Sequence, residues 1–264
     1  MDTRPIGIID SGSGGLSIWK ALISLLPNEV TIYIGDHAQL PYSDKTQKFI
    51  RNRVVKLIRE LIKQNCKMCV VACNTATVAG IDWYRKQFPS FPIVGVVPVI
   101  KTAAALTKTN HIMVLSTLFT AKSAYQKKLI QTFASDKTVF SVGSTRLVSL
   151  IESSKNTRKE IDEELKKIRT PHLSYPIDVV VLGCTHYPFV KDQIHQLFGH
   201  AVSVIDSGDA VARHVARILT NIGGVNTQHK ATHIFFTTGD AAMVSAVVSK
   251  LLNQPTVVEH VLIP

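Results

Sequence analysis

The chain has 264 residues, of which 45% are hydrophobic, and carries a formal net charge of +11. That length suits one large or two compact domains, and the apolar share excludes a disordered chain. No apolar run reaches the roughly 18 residues a membrane span needs, and the run before Asp10 is too short and too acidic for a signal peptide, so a cytoplasmic protein with no membrane partner is expected.

In chain order, Ile6-Gly7-Ile8-Ile9 reads as a buried strand, Leu16 to Leu26 as a helix stopped by Pro27, and Val30 to Ile34 as the next strand. Between Lys48 and Gln64 the apolar residues Ile50, Val54, Leu57, Ile58 and Leu61 recur at helical spacing. Val70-Val71-Ala72 is a strand, and further strands are expected at Ile112–Leu115, Val179–Leu182, Val202–Ile205 and Ile234–Phe236, with helices between. Apolar strands alternating with helices imply parallel sheets covered on both faces. Gly95 to Pro98 is a candidate crossover between halves.

A half-repeat runs through the chain. A strand followed by Cys73-Asn74-Thr75 returns 111 residues later as a strand followed by Cys184-Thr185-His186. A strand ending at Asp10-Ser11-Gly12 returns 106 residues later before Ser116-Thr117. The expected fold is therefore two pseudo-symmetric α/β domains, 1–97 plus 208–264 and 98–207, with mostly parallel sheets. The polar clusters all follow strand ends, where open α/β sheets bind ligands. Ser11, Thr75 and Thr117 taken singly also suit ordinary helix N-caps.

The basic balance admits a nucleic-acid partner, but Lys56, Arg59 and Lys63 fall on a helix face and no nucleic-acid motif accompanies them, so none is expected. Gly12-Ser13-Gly14-Gly15 matches neither a Walker loop nor a dinucleotide fingerprint and reads as a tight strand-to-helix turn. Cys66-x2-Cys69-x3-Cys73 has a metal-like spacing, yet Cys69 sits in a strand pattern and no fourth ligand lies near; no metal is expected. Cys66 and Cys69 read as buried packing residues.

Cys73 and Cys184 are different. Two thiols at matching places in two halves suit removal of a proton from one face of a carbon and delivery to the other. Only the thiolate is a base, and it is the minor form at the ordinary pKa of about 8.5. His186, two residues after Cys184, can take the proton of that thiol; Asp10 is placed to accept a proton or to pair a substrate ammonium.

With Ile8-Ile9-Asp10-Ser11-Gly12-x-Gly14-Gly15, Pro41-Tyr42, Ala72-Cys73-Asn74-Thr75-Ala76, Thr117, Thr120, Glu152, Gly183-Cys184-Thr185-His186-Tyr187-Pro188, Ile205-Asp206-Ser207-Gly208 and Thr238-Gly239-Asp240, the chain resembles the glutamate racemases of the aspartate/glutamate racemase superfamily nearly end to end. The resemblance implies an isomerase with a cofactor-free site in the cleft between the domains. It implies Cys73 and Cys184 as acid/base residues, with Asp10, Glu152 and His186 in support. Substrate contacts would come from Asp10, Ser11, Tyr42, Ser43, Asn74, Thr75, Thr117, Thr185 and His186. It further implies a homodimer, glutamate as substrate, and D-glutamate supplied to peptidoglycan. Sister racemases and isomerases of aspartate, hydantoin or maleate share the two-thiol layout, and a non-catalytic anion or nucleic-acid binder is the alternative from another class.

Two positions depart from the family pattern. Ser43 replaces a usual Gly, which strains the backbone if φ is positive there. Ser144-Thr145 replaces a common Cys-Pro pair, a change expected to affect helix entry rather than chemistry. The family's occasional N-terminal extension is missing, so no dependence on a wall-precursor activator is expected.

Overall fold

The computed structural model describes residues 2–153, 158–227 and 231–264. They form two compact units, Met1–Val96 with Gly208–Pro264, and Val97–Ser207.

The first unit holds β1 (Ile6–Asp10), β2 (Thr31–Gly35), β3 (Met68–Val71), β4 (Ile93–Gly95), and, after the return at Gly208, β9 (His233–Thr237) and β10 (Glu259–His260). The second holds β5 (His111–Thr117), β6 (Thr138–Ser144), β7 (Val179–Gly183) and β8 (Ser203–Ile205). The first sheet runs β10-β9-β2-β1-β3-β4 and the second β6-β5-β7-β8. Every pairing in both is parallel.

The sequence explains this. β1, β2, β3 and β7 are buried at every residue and apolar but for Asp10 at the end of β1 and Thr31 at the start of β2, as suits strands covered by helices on both faces. Parallel strands need crossovers, and the chain supplies them as helices. The helix Gln47–Lys63 starts at Thr46, whose side chain accepts from the Phe49 amide at 3.2 Å, and buries Ile50, Val54, Val55, Leu57, Ile58 and Leu61.

The order β2-β1-β3-β4 in the first unit is the order β6-β5-β7-β8 in the second. The half-repeat is therefore topological: β1 corresponds to β5 and β3 to β7. β9 and β10 extend the first sheet beyond β2. Three strands escape the sequence pattern, among them β10 with only two residues. β6 is an edge strand, exposed or half-exposed at six of its seven residues, so it lacks a buried strand's apolar run. β4 lies in part of the expected crossover and has only three residues.

Buried charge ties down the first unit's base. Lys67 pairs with Glu29 and donates to the carbonyls of Asp2 and Gly224, at 2.9 and 2.8 Å; Glu29 also accepts from the Asn226 amide at 2.9 Å. Removing either partner would strand a buried charge, at a cost of about 3–5 kcal/mol. In the second unit, Ser207 donates to the Val97 carbonyl at 2.7 Å and joins the unit's two ends.

Candidate functional site

The polar clusters gather at the carboxyl ends of β1 and β3 in the first unit and of β5 and β7 in the second, where strand order reverses. This is the usual ligand position in an open parallel sheet. In the first unit Ile9 pairs with Val71, which brings Ser11 level with Cys73; Ser11 Oγ lies 3.5 Å from Cys73 Sγ. Both residues are buried. Cys73 occupies the N-cap of the helix Asn74–Gln87 without a side-chain cap bond, so Asn74 and Thr75, also buried, form its first turn. A helix start carries partial positive charge and favours an anion.

Asp10 also has a structural task in the loop that follows β1. Its Oδ1 accepts from the Ser11 amide at 2.7 Å and from Ser11 Oγ at 3.5 Å. Its Oδ2 accepts from the Gly15 amide at 2.6 Å; the Tyr33 hydroxyl, 3.5 Å away, gives its proton to the Gly12 carbonyl at 2.8 Å. Two backbone amides, one on each oxygen, anchor this carboxylate. Asp10 thus builds the loop that carries Ser11.

Tyr42 is buried, and its hydroxyl donates to Asp36 Oδ2 at 2.6 Å. Burial, then the Asp36 charge, push the phenol pKa well up, so Tyr42 stays a neutral donor. Asp36 is in turn gripped by Arg53, at 2.8 and 2.9 Å, and by the Thr238 hydroxyl at 2.8 Å. Ser43 lies in the 3-10 turn Tyr42–Asp44 and is not among the positive-φ residues, so it carries no backbone strain; its hydroxyl donates to Asp44 at 3.0 Å.

In the second unit Ser116 pairs with Gly183, which brings Thr117 level with Cys184. Thr117 is a true N-cap: its Oγ1 accepts from the Thr120 amide at 3.3 Å and donates to Thr120 Oγ1 at 3.0 Å. The capping expectation therefore holds for Thr117, while Ser11 lies in a loop and Thr75 inside a helix. Buried Thr185 follows Cys184. Cys184 Sγ lies 3.7 Å from His186 Nδ1, and His186 Nε2 lies 2.6 Å from Glu152 Oε1. Burial opposes a charge on His186, but the bonds to Cys184 and Glu152 and their negative charges outweigh it and hold the imidazole pKa well above its ordinary value.

Glu152 ends the helix Leu147–Glu152, which follows β6. Ser144, the last residue of β6, accepts from the amides of Arg146 and Leu147 at 3.1 and 3.0 Å and donates to Glu164 at 2.9 Å. The Ser144 departure thus acts at helix entry. The strand that the sequence pattern concealed is the one that delivers Glu152.

Cys66 and Cys69 are ordinary buried thiols. Burial raises Cys66 to about 12 and Cys69 also well up. Among the described residues no group of three or more His, Cys, Asp or Glu side chains is placed to hold a metal. None of their helices is long and apolar enough to cross a membrane. Sequence reasoning missed Tyr33, Asp36, His37 and Arg53. Asp36 had a visible signal, a polar residue directly after a strand as at Asp10; the others act on partners distant in the chain.

A family profile described as Asp/Glu/Hydantoin racemase matches residues 6–215. A glutamate racemase of Ectopseudomonas mendocina is 39% identical over 250 residues, covering 95% of each chain. Among solved structures, glutamate racemase isoform RacE1 from Bacillus anthracis superposes with a TM-score of 0.89 at 29% identity, covering 100% of this chain and 99% of that one. The Escherichia coli glutamate racemase, in complex with L-glutamate and the activator UDP-MurNAc-ala, gives 0.87 at 32% identity, covering 99% of both. The half-repeat of strands, the thiol after each third strand and these likenesses agree: the chain belongs to the Asp/Glu/Hydantoin racemase family and groups with its glutamate racemases.

Proposed function

We propose that the chain interconverts L- and D-glutamate without a cofactor, with Cys73 and Cys184 acting on opposite faces of the α-carbon. The observation that carries this reading is the pair of buried thiols at equivalent strand ends, each beside a polar partner that an inert packing cysteine does not need. In the L-to-D direction the Cys184 thiolate takes the α-proton and the Cys73 thiol donates its own proton to the opposite face. The sulfurs exchange roles in reverse. His186 takes the thiol proton of Cys184 before abstraction, with Glu152 balancing the imidazolium charge; after the transfer Cys184 holds the α-proton, the imidazolium releases its proton to solvent and the Cys73 thiolate regains one from solvent.

Asn74 and Thr75 at a helix start, with Ser11, Thr117 and Thr185, supply the substrate's carboxylates with hydroxyls and amides. Tyr42 and Ser43 line the same loop set, with Tyr42 oriented by Asp36. The product D-glutamate feeds peptidoglycan. The same reading carries a homodimer in the cytoplasm; the free cysteines suit a reducing compartment, and light scattering measures the dimer.

Optical rotation tests the function. L-glutamate should lose its rotation completely, and L-aspartate should turn over at least about tenfold more slowly, because a shorter chain leaves one carboxylate poorly paired. Dialysis against a chelator and treatment with hydroxylamine should leave the rate unchanged. Equal or faster turnover of aspartate would replace glutamate as the substrate.

A further inference from the structure

His37 follows β2, and its imidazole bridges two segments distant in sequence. Nε2 lies 2.9 Å from Ser13 Oγ. Nδ1 lies 2.9 Å from Thr237 Oγ1 and 3.2 Å from the Gly35 carbonyl. The carbonyl can only accept, which assigns the ring proton to Nδ1 and leaves Nε2 to accept from the Ser13 hydroxyl. Thr237 Oγ1 also accepts from the Gly239 amide at 3.0 Å. Ser13 and Thr237 are both fully buried.

Two glycines reserve the space. A Cβ on Gly35 would collide with the His37 ring and lie 2.8 Å from the Gly12 carbonyl. A Cβ on Gly239 would lie 2.9 Å from His37 Cβ. The next residue of β9's end holds the neighbour of His37: Thr238 Oγ1 donates to Asp36 at 2.8 Å and accepts from the Ala38 amide at 3.1 Å. Thr237 and Thr238 are therefore stitched to Asp36, His37 and Ala38.

Ser13 sits in the loop that carries Ser11, and Ser11 meets Cys73. Asp10 and Tyr33 hold this loop through the Ser11 and Gly15 amides and the Gly12 carbonyl. His37 is a further strut, on Ser13. We infer that His37, seated between Gly35 and Gly239 and anchored on Thr237, is a positioning residue that sets the contact between Ser11 and Cys73. The inference rests on Cys73 as a reacting thiol.

The test compares His37→Ala, Thr237→Val and Thr237→Ser in the full chain. Iodoacetamide labelling, resolved by peptide mass spectrometry, reads Cys73 and Cys184 separately in each sample. In His37→Ala and Thr237→Val the labelling rate of Cys73 should change by at least about threefold, since a loop misplacement acts directly on its thiol contact, while Cys184 keeps its rate. Thr237→Ser, which keeps the hydroxyl, should restore the wild-type ratio. With glutamate, kcat should fall more than KM rises in the first two variants. An unchanged Cys73-to-Cys184 ratio, or identical behaviour of Thr237→Val and Thr237→Ser, would overturn the inference. The labelling needs no turnover, so it decides the question even if glutamate is not the substrate. If His37→Ala does not fold, the Thr237 pair decides it alone.

Discussion

Cys73 and Cys184 stand at the same place in the same strand order, yet their surroundings differ in kind. Cys73 meets a neutral hydroxyl, Ser11, on a loop whose carboxylate, Asp10, is bonded by backbone amides. Cys184 meets an ionisable row, His186 and then Glu152. A repeated backbone thus delivers two thiols, and the local partners make them chemically unequal. On the proposed mechanism, two mirror-image substrates are handled without two mirror-image bases.

The strongest way to break the comparison is to remove each sulfur. Cys73→Ser and Cys184→Ser should each slow racemisation by roughly 10²–10⁴, the range for a lost acid/base group. In heavy water, Cys73→Ser should still exchange the α-hydrogen of L-glutamate through Cys184, and Cys184→Ser that of D-glutamate through Cys73. Exchange with no opposite preference in the two variants would end the two-thiol mechanism.

A smaller effect should separate the two partners. His186→Asn or Glu152→Gln should lower kcat by roughly tenfold to a hundredfold, below the loss of the acid/base group itself. Enantiomers have equal free energies, so kcat/KM falls equally in both directions. The asymmetry should appear in the isotope effect, which should rise more with α-deuterated L-glutamate than with the D-isomer. Ser11→Ala, which removes a neutral hydrogen bond worth about 1 kcal/mol, should cost only about fivefold in kcat. Equal effects of Ser11→Ala and Glu152→Gln would erase the distinction between the two thiols.

The same contrast has a pH signature. The folded-state pKa of His186 is raised above its ordinary value of 6.5. Its stabilisation is therefore fully present below about pH 6.5 and lost as pH rises through the raised value. The melting-temperature gap between wild type and His186→Asn should be widest at mildly acidic pH and close on the alkaline side; a gap that widens with pH would contradict the ion-paired row. Least of all, Cys66→Ser and Cys69→Ser should leave kcat within about twofold, while Cys69→Ser, placing a hydroxyl in buried β3, should cost about 1–3 kcal/mol of stability in denaturant titrations.

The sequence by itself determined the buried strands, because an all-apolar run such as Val179–Leu182 has no comfortable place but a covered sheet. It also determined the two thiols, since their spacing repeats with the strands that precede them. Ser11, Thr75 and Thr117 looked alike as possible caps, and only the structure separated one cap from a loop residue and a helical one. β6 was hidden because an edge strand need not be apolar, and with it went the physical reason why Glu152 reaches His186. The partners of Asp36 and His37 were beyond reading from sequence: Thr237 and Thr238 lie some 200 residues further along the chain. A hydrogen bond depends on where two strand ends meet, and strand order is settled by packing, not by any local pattern that a sequence displays.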